Sequence, residues 1–170
     1  MFRYSIIAVL MFSMSLLIIP HDSFSQGNQA EINTLKGIKG IGLSVEDIDA
    51  DAAADGLSKD KLLKVITQKL KKSGIKVFTD LELRTISGQP QLVLNINSIK
   101  QPGPIYIFTT TLDLTQIVLL ERNKGLTAVS PTWTVLTTGG SLPEDLAATV
   151  DASIDPMLES FITDYKKANP

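Results

Sequence analysis

Ser58-Lys59-Asp60-Lys61 carries the S-x-x-K spacing of penicillin-recognising enzymes, where a serine at a helix start has a lysine one turn on to take its proton. The chain holds no S-D-N and no K-T-G to complete that chemistry, and it is far shorter than such enzymes. Ser58 reads instead as the N-cap of a lysine-rich helix. Gly42-Leu43-Ser44-Val45-Glu46 lacks the last glycine of a nucleophile elbow, and Gly37, Gly40 and Gly42 do not give the dinucleotide-binding spacing. These glycines read as easing a strand or bulge. Asp47, Asp49 and Asp51 alternate as the start of a calcium loop would, with Asp55-Gly56 beyond. Ala52 then stands where that loop needs glycine, and Ser58 where it needs a bidentate glutamate. The run is expected to be a solvated acidic connector, with no metal site and no cofactor.

Composition narrows the chemistry further. The 170 residues include no Cys, one Trp and one His, with 16 Lys+Arg against 18 Asp+Glu. Thiol chemistry, Cys-based zinc sites and haem attachment are excluded. The histidine, His21, falls in a segment expected to be removed, which leaves no imidazole for a triad, a general base or a metal ligand. A net charge of −2 and a pI of about 5.4 give no basic excess for nucleic acid.

Arg3 followed by an apolar run from Ile6 to Ile19, then Pro20 and Ser23-Phe24-Ser25, has the form of a secretory signal peptide cut after Ser25. The run is shorter than the ~20 residues a spanning helix needs. No cysteine near the cut offers a lipid attachment point. The expected product is periplasmic or secreted, without disulfides. Residues 1–25 are thus assigned to export, 26–34 to a polar, flexible lead-in, and 35–170 to one domain.

The elements that would position any site follow from periodicity. Lys36 to Asp47 reads as a strand, with Ile41, Leu43 and Val45 alternating against Gly40, Gly42 and Ser44. Lys59 to Lys72 has helical spacing through Leu62, Leu63, Ile66 and Leu70, stopped by Gly74. Ile75 to Phe78 reads as a short strand and Asp80 to Ile86 as a helical turn. Gln91–Ile99, Ile105–Glu121 and Thr127–Thr138 read as a meander, in which Pro131 implies an edge or a bulge. Ser141 with Glu144 suggests a capping box for a last helix, whose stripe is Leu146, Val150, Ile154, Met157, Phe161 and Tyr165. Pro156 should kink that helix. The fold class is α+β: one mostly antiparallel sheet of about five strands with two helices on one face, in the order β-α-β-β-β-β-α.

Two surfaces stand out as candidate binding faces. Seven lysines lie between Lys59 and Lys76 against one acid, Asp60, and Lys61, Lys64, Lys71 and Lys72 point away from the Leu62/Ile66/Leu70 stripe. Such a face is either solvated or meets an anionic lipid surface or an acidic partner. On the strands, Asn95 and Asn97 share one face with Thr109 and Thr111, and asparagine is depleted in strands unless that face meets water or a ligand. Trp133 is expected to pack in the core or at an edge.

Several stretches together resemble an uncharacterised family of short exported bacterial proteins. They are Lys36-Gly37-Ile38-Lys39-Gly40, Val45-Glu46-Asp47, Asp55-Gly56-Leu57-Ser58-Lys59-Asp60, Gly74-Ile75-Lys76-Val77, Asn95-Ile96-Asn97, Leu119-Leu120-Glu121-Arg122-Asn123, Thr132-Trp133 and the terminal Asn169-Pro170. The resemblance implies single-domain export and carries no activity with it. The element order is also similar to small periplasmic modules that help assemble envelope complexes. The expected function is therefore a non-enzymatic exported domain that binds an envelope or secreted protein, with peripheral membrane contact as an option and nucleic acid excluded. A small-ligand or calcium carrier is the alternative, and a hydrolase using carboxylates or Ser58 the second alternative.

Overall fold

The computed structural model describes residues 28–170, so the export segment and its cut lie outside the described residues. Among the described residues no helix is long and apolar enough to cross a membrane. The elements run α1 (Gln29–Thr34), β1 (Gly42–Val45), α2 (Ala50–Ala54), α3 (Lys59–Lys72), α4 (Asp80–Leu83), β2 (Gln91–Gln101), β3 (Ile105–Leu120), β4 (Asn123–Ser141) and α5 (Leu146–Ala168). A short 3₁₀ turn, Pro143–Asp145, leads into α5.

The fold is α+β with one mixed sheet of four strands in the order β1-β2-β3-β4. The meander β2-β3-β4 is antiparallel, while β1 lies parallel to β2, because the chain crosses through α3 before returning to the sheet. The expected fifth strand, Ile75–Phe78, reaches only an isolated parallel bridge, Ile41 with Val77. Its hydrogen bonds are Ile41 N–H to Lys76 C=O (2.9 Å) and Phe78 N–H to Ile41 C=O (2.8 Å). Thr79 then starts α4 with a capping box to Glu82, which turns the chain away before a ladder can grow. Gly40 permits the approach that does occur, since a Cβ there would lie 2.7 Å from the Lys76 carbonyl oxygen.

The two long helices cover one face of the sheet. Leu62, Ile66 and Leu70 of α3 and the expected stripe of α5, joined by Leu158 and Ile162, are buried in one cluster with Leu92, Leu94, Leu112, Leu114, Trp133 and Val135. Trp133 is fully buried, edge-on to Phe161 with ring centroids 5.2 Å apart, and its indole N–H donates to Asp164 Oδ2 at 2.9 Å. The expected helical turn at Asp80 is the short helix α4, and α1 and α2 are two further short helices that add to the two long ones.

Two local expectations change. The polar stretch 26–34 is helical from Gln29 to Thr34, because Asn28 and Glu31 form a capping box and Ile32 is buried. Ser141 does not cap α5 but ends β4; its hydroxyl donates to the Leu142 carbonyl and meets Thr149 Oγ1 at 3.2 Å. The C-terminus is clamped: Asn169 Nδ2 donates to the carbonyls of Leu35 and Tyr165, and its Oδ1 accepts from Gly37 N–H.

Candidate functional site: the uncovered sheet face

In a pleated strand alternate side chains point to opposite faces. The face of β2, β3 and β4 that turns away from the helices carries Asn95, Asn97, Thr109 and Thr111. The hairpin register sets Asn95 opposite Thr111 and Asn97 opposite Thr109, so the four residues form one compact patch. Asn97 is exposed and the other three are half-buried. Among the described residues no hydrogen bond engages any of these four side chains, leaving their amides and hydroxyls free for a partner. On the β4 side the patch continues through Thr138, Leu136 and Thr134, which lie opposite Thr109, Thr111 and Asp113. Thr134 Oγ1 donates to Asp113 Oδ1 at 2.7 Å.

Aliphatic side chains flank the polar patch, and reasoning from the asparagines overlooks them. Ile99 lies opposite Ile107, and Ile105 opposite Gln101, at one end of the β2-β3 hairpin. Ile99 is 64% exposed, Ile105 49%, Ile107 48% and Leu136 45%. At the other end β3 and β4 run past β2 as a two-stranded arm, where Ile117 pairs with Val129 and Leu119 with Thr127. Leu119 and Val129 are exposed there as well. Several aliphatic residues on one open face, around unengaged hydrogen-bonding groups, form a surface suited to protein contact.

The lysine face divides. Lys61 reaches Asp151 of α5 at 3.4 Å, and Lys69, outside the four lysines of the expected face, bridges Asp155 and Glu159 at 2.5 and 2.9 Å. These two lysines staple α3 to α5. Lys64, Lys71 and Lys72 are exposed and make no ion pair among the described residues. Because α3 packs on the covered face of the sheet, its lysines point away from the asparagine–threonine patch, and the two surfaces do not join.

The acidic connector does not converge on a point. Asp47 pairs with Lys59 at 2.7 Å, Asp49 accepts from Ser98, and Asp55 accepts from Tyr106 Oη at 2.6 Å and Lys100 Nζ at 3.0 Å. The Tyr106 hydroxyl, and then Lys100, hold the Asp55 carboxyl below the usual aspartate range. Burial, reinforced by Asp55, pushes the Tyr106 hydroxyl up. Each of these three carboxylates is already used by a different neighbour, which is the arrangement of structural braces. Ser58 sits as an N-cap, its Oγ accepting from Lys61 N–H at 3.4 Å. That hydroxyl faces a backbone amide in the turn where S-x-x-K chemistry would need the lysine amine. Comparison with protein-family models, curated proteins and solved structures gives no match.

Proposed function

We propose that the chain is an exported, non-enzymatic domain of the short exported family it resembles, whose uncovered sheet face binds a protein of the bacterial envelope. The observation that carries this reading is the row of solvent-facing isoleucines, Ile99, Ile105 and Ile107, beside four unengaged polar side chains in one register. Exposed aliphatic side chains in such a cluster gain by losing water, at roughly 25 cal/mol per Å² of apolar surface removed. The amides and hydroxyls then supply direction. The partner surface that fits is flat, apolar at its centre and able to hydrogen-bond at its rim. The signal-peptide pattern at residues 1–25 supports export, and a periplasmic or secreted location follows from it.

Charged substitutions at the centre of the row test the reading. Ile99→Asp with Ile107→Asp should leave the domain folded at a cost of about 1–3 kcal/mol, since both positions face solvent but aspartate suits a strand poorly and the two new carboxylates lie directly opposite each other. A photo-reactive side chain at Thr109 should form one dominant adduct with an envelope protein in cells, and the aspartate pair should abolish it. An adduct that survives the aspartate pair, or forms equally well from Lys64, would overturn the assignment to the sheet face.

A further inference from the structure

Where the α1–β1 connection, the α4–β2 connection and the root of the β3-β4 arm meet, they border an open cavity of about 440 Å³. That is within the usual size range of small-molecule sites, ≈ 300–1,000 Å³. Its polar lining comes from Thr34, Lys36, Lys39, Thr85, Ser87 and Gln116, and among the described residues no carboxylate lines it. Two other clefts of the described residues do hold carboxylates, one along α5 with Asp155, Glu159 and Asp164 and one beside α2 with Asp49 and Asp51, while two smaller clefts hold no acidic side chain. Among the described residues Lys36 and Lys39 enter no ion pair, like Lys64, Lys71 and Lys72 of α3, whereas Lys59, Lys61, Lys69, Lys76 and Lys100 all have acidic partners. Two lysines without an acidic partner among the described residues thus line one concavity in a chain of net charge −2.

The walls are held in place before any ligand arrives. Gln89 adopts φ +42°, a left-handed conformation that a non-glycine residue keeps only when its surroundings enforce it. Gly88 beside it has φ +76°, and its carbonyl accepts from Ile117 N–H at 2.7 Å, tying this loop to the arm. Gln116 Nε2 donates to the Thr34 carbonyl and to Thr132 Oγ1, joining the opposite wall. Gly37 N–H is pinned by Asn169 Oδ1 at 2.7 Å. Strained backbone held by cross-links between sequence-distant segments is characteristic of preorganised sites.

We propose that this cavity binds a small phosphate- or carboxylate-bearing molecule, with the Lys36 and Lys39 ammonium groups meeting its charge and the Ser87 hydroxyl donating to it. A lysine ammonium is a compact cation with three donors and suits a tetrahedral or planar oxyanion. The site uses none of the residues of the uncovered sheet face, so it stands or falls separately from the partner-binding reading.

The test is an NMR titration of the ¹⁵N-labelled chain from Gln26 with inorganic phosphate and with citrate, at ionic strength held constant with sodium chloride. Saturable shifts should appear at the amides of Gly37, Lys39, Ser87 and Gln116 for at least one of the two anions. Lys36→Gln with Lys39→Gln should weaken that binding at least about tenfold, equivalent to 1.4 kcal/mol. Lys71→Gln with Lys72→Gln on α3 should leave it unchanged. Absence of saturable shifts with both anions, or equal weakening by both pairs of substitutions, would overturn the proposal. So would binding to phosphatidylglycerol vesicles through Lys36 and Lys39 without any response to the soluble anions, because the contact would then be with a membrane surface.

Discussion

Thr110 sits in the middle of β3 on the covered face of the sheet, fully buried, and its Oγ1 has no hydrogen-bond partner among the described residues. Its cross-strand neighbours are Ile96 and Thr137, and along its own strand Phe108 and Leu112 share its face. A hydroxyl buried without a partner costs roughly 1–3 kcal/mol in proteins. Valine has nearly the same shape and the same β-branched preference for a strand, and it replaces the hydroxyl by a methyl group that gains from burial. Thr110→Val should therefore stabilise the domain by about 1–2 kcal/mol, the lower part of that range allowing for small adjustments around the new methyl. For a chain of this size that corresponds to a Tm rise of about 2–8 °C. Thr110→Ser keeps the hydroxyl and deletes the methyl, so it should cost about 1 kcal/mol. Urea unfolding of the three proteins at a common slope, with calorimetric Tm values beside it, measures both changes. If valine destabilises by 1 kcal/mol or more while the slope is unchanged, the hydroxyl has a partner and the reasoning fails.

Two further outcomes are expected. A Cβ at Gly139 would lie 2.6 Å from the Phe108 ring, which is fixed in the core, so Gly139→Ala should destabilise by about 1–3 kcal/mol; an unchanged urea midpoint would show that the ring can move aside. The Asp55 carboxyl, held low chiefly by the Tyr106 hydroxyl, should titrate below the ordinary aspartate value of about 3.9 and move up in Tyr106→Phe, as read from its carboxyl carbon shift. Because the folded value is depressed, the stability this group contributes is present above about pH 3.9 and is lost as pH falls through the folded value. An Asp55 shift that is the same in both proteins would refute the assignment to Tyr106.

The strands of the meander were legible because alternation over long runs has no competing interpretation, and Leu92, Leu94 and Ile96 are indeed buried on one face. The stripes of α3 and α5 were legible for the same reason at helical period. Helix α1 was not, since six residues with one buried apolar side chain, Ile32, carry no periodicity; its capping box and the Asn169 clamp hold it. Alternation predicts β4 over Thr127–Thr138, but the strand runs from Asn123 to Ser141, because Lys124-Gly125 and Gly139-Gly140 look like loop until β3 is present to pair with them. The lysine face was half legible: charge placement along α3 is local, but the use of Lys61 and Lys69 as staples depends on acids of α5 that lie far along the chain.

Residues 105–108 show where local information ends. Ile105, Tyr106, Ile107 and Phe108 are all apolar, so alternation marks a strand there without saying which pair faces inward. In the structure Tyr106 and Phe108 are buried while Ile105 and Ile107 meet solvent. The sequence by itself determined the meander, the two amphipathic helices, the absence of thiol and imidazole chemistry from residues 26–170, and the positions of the unengaged polar residues. Only the tertiary structure decided which face those helices cover, and hence that Ile99, Ile105 and Ile107 stand beside Asn95 and Asn97 on the open one. It also decided that Lys36, Lys39, Ser87 and Gln116 share a cavity. The reason is that an element's period is set by the backbone, whereas the choice of its buried side depends on partners that lie far away in the chain.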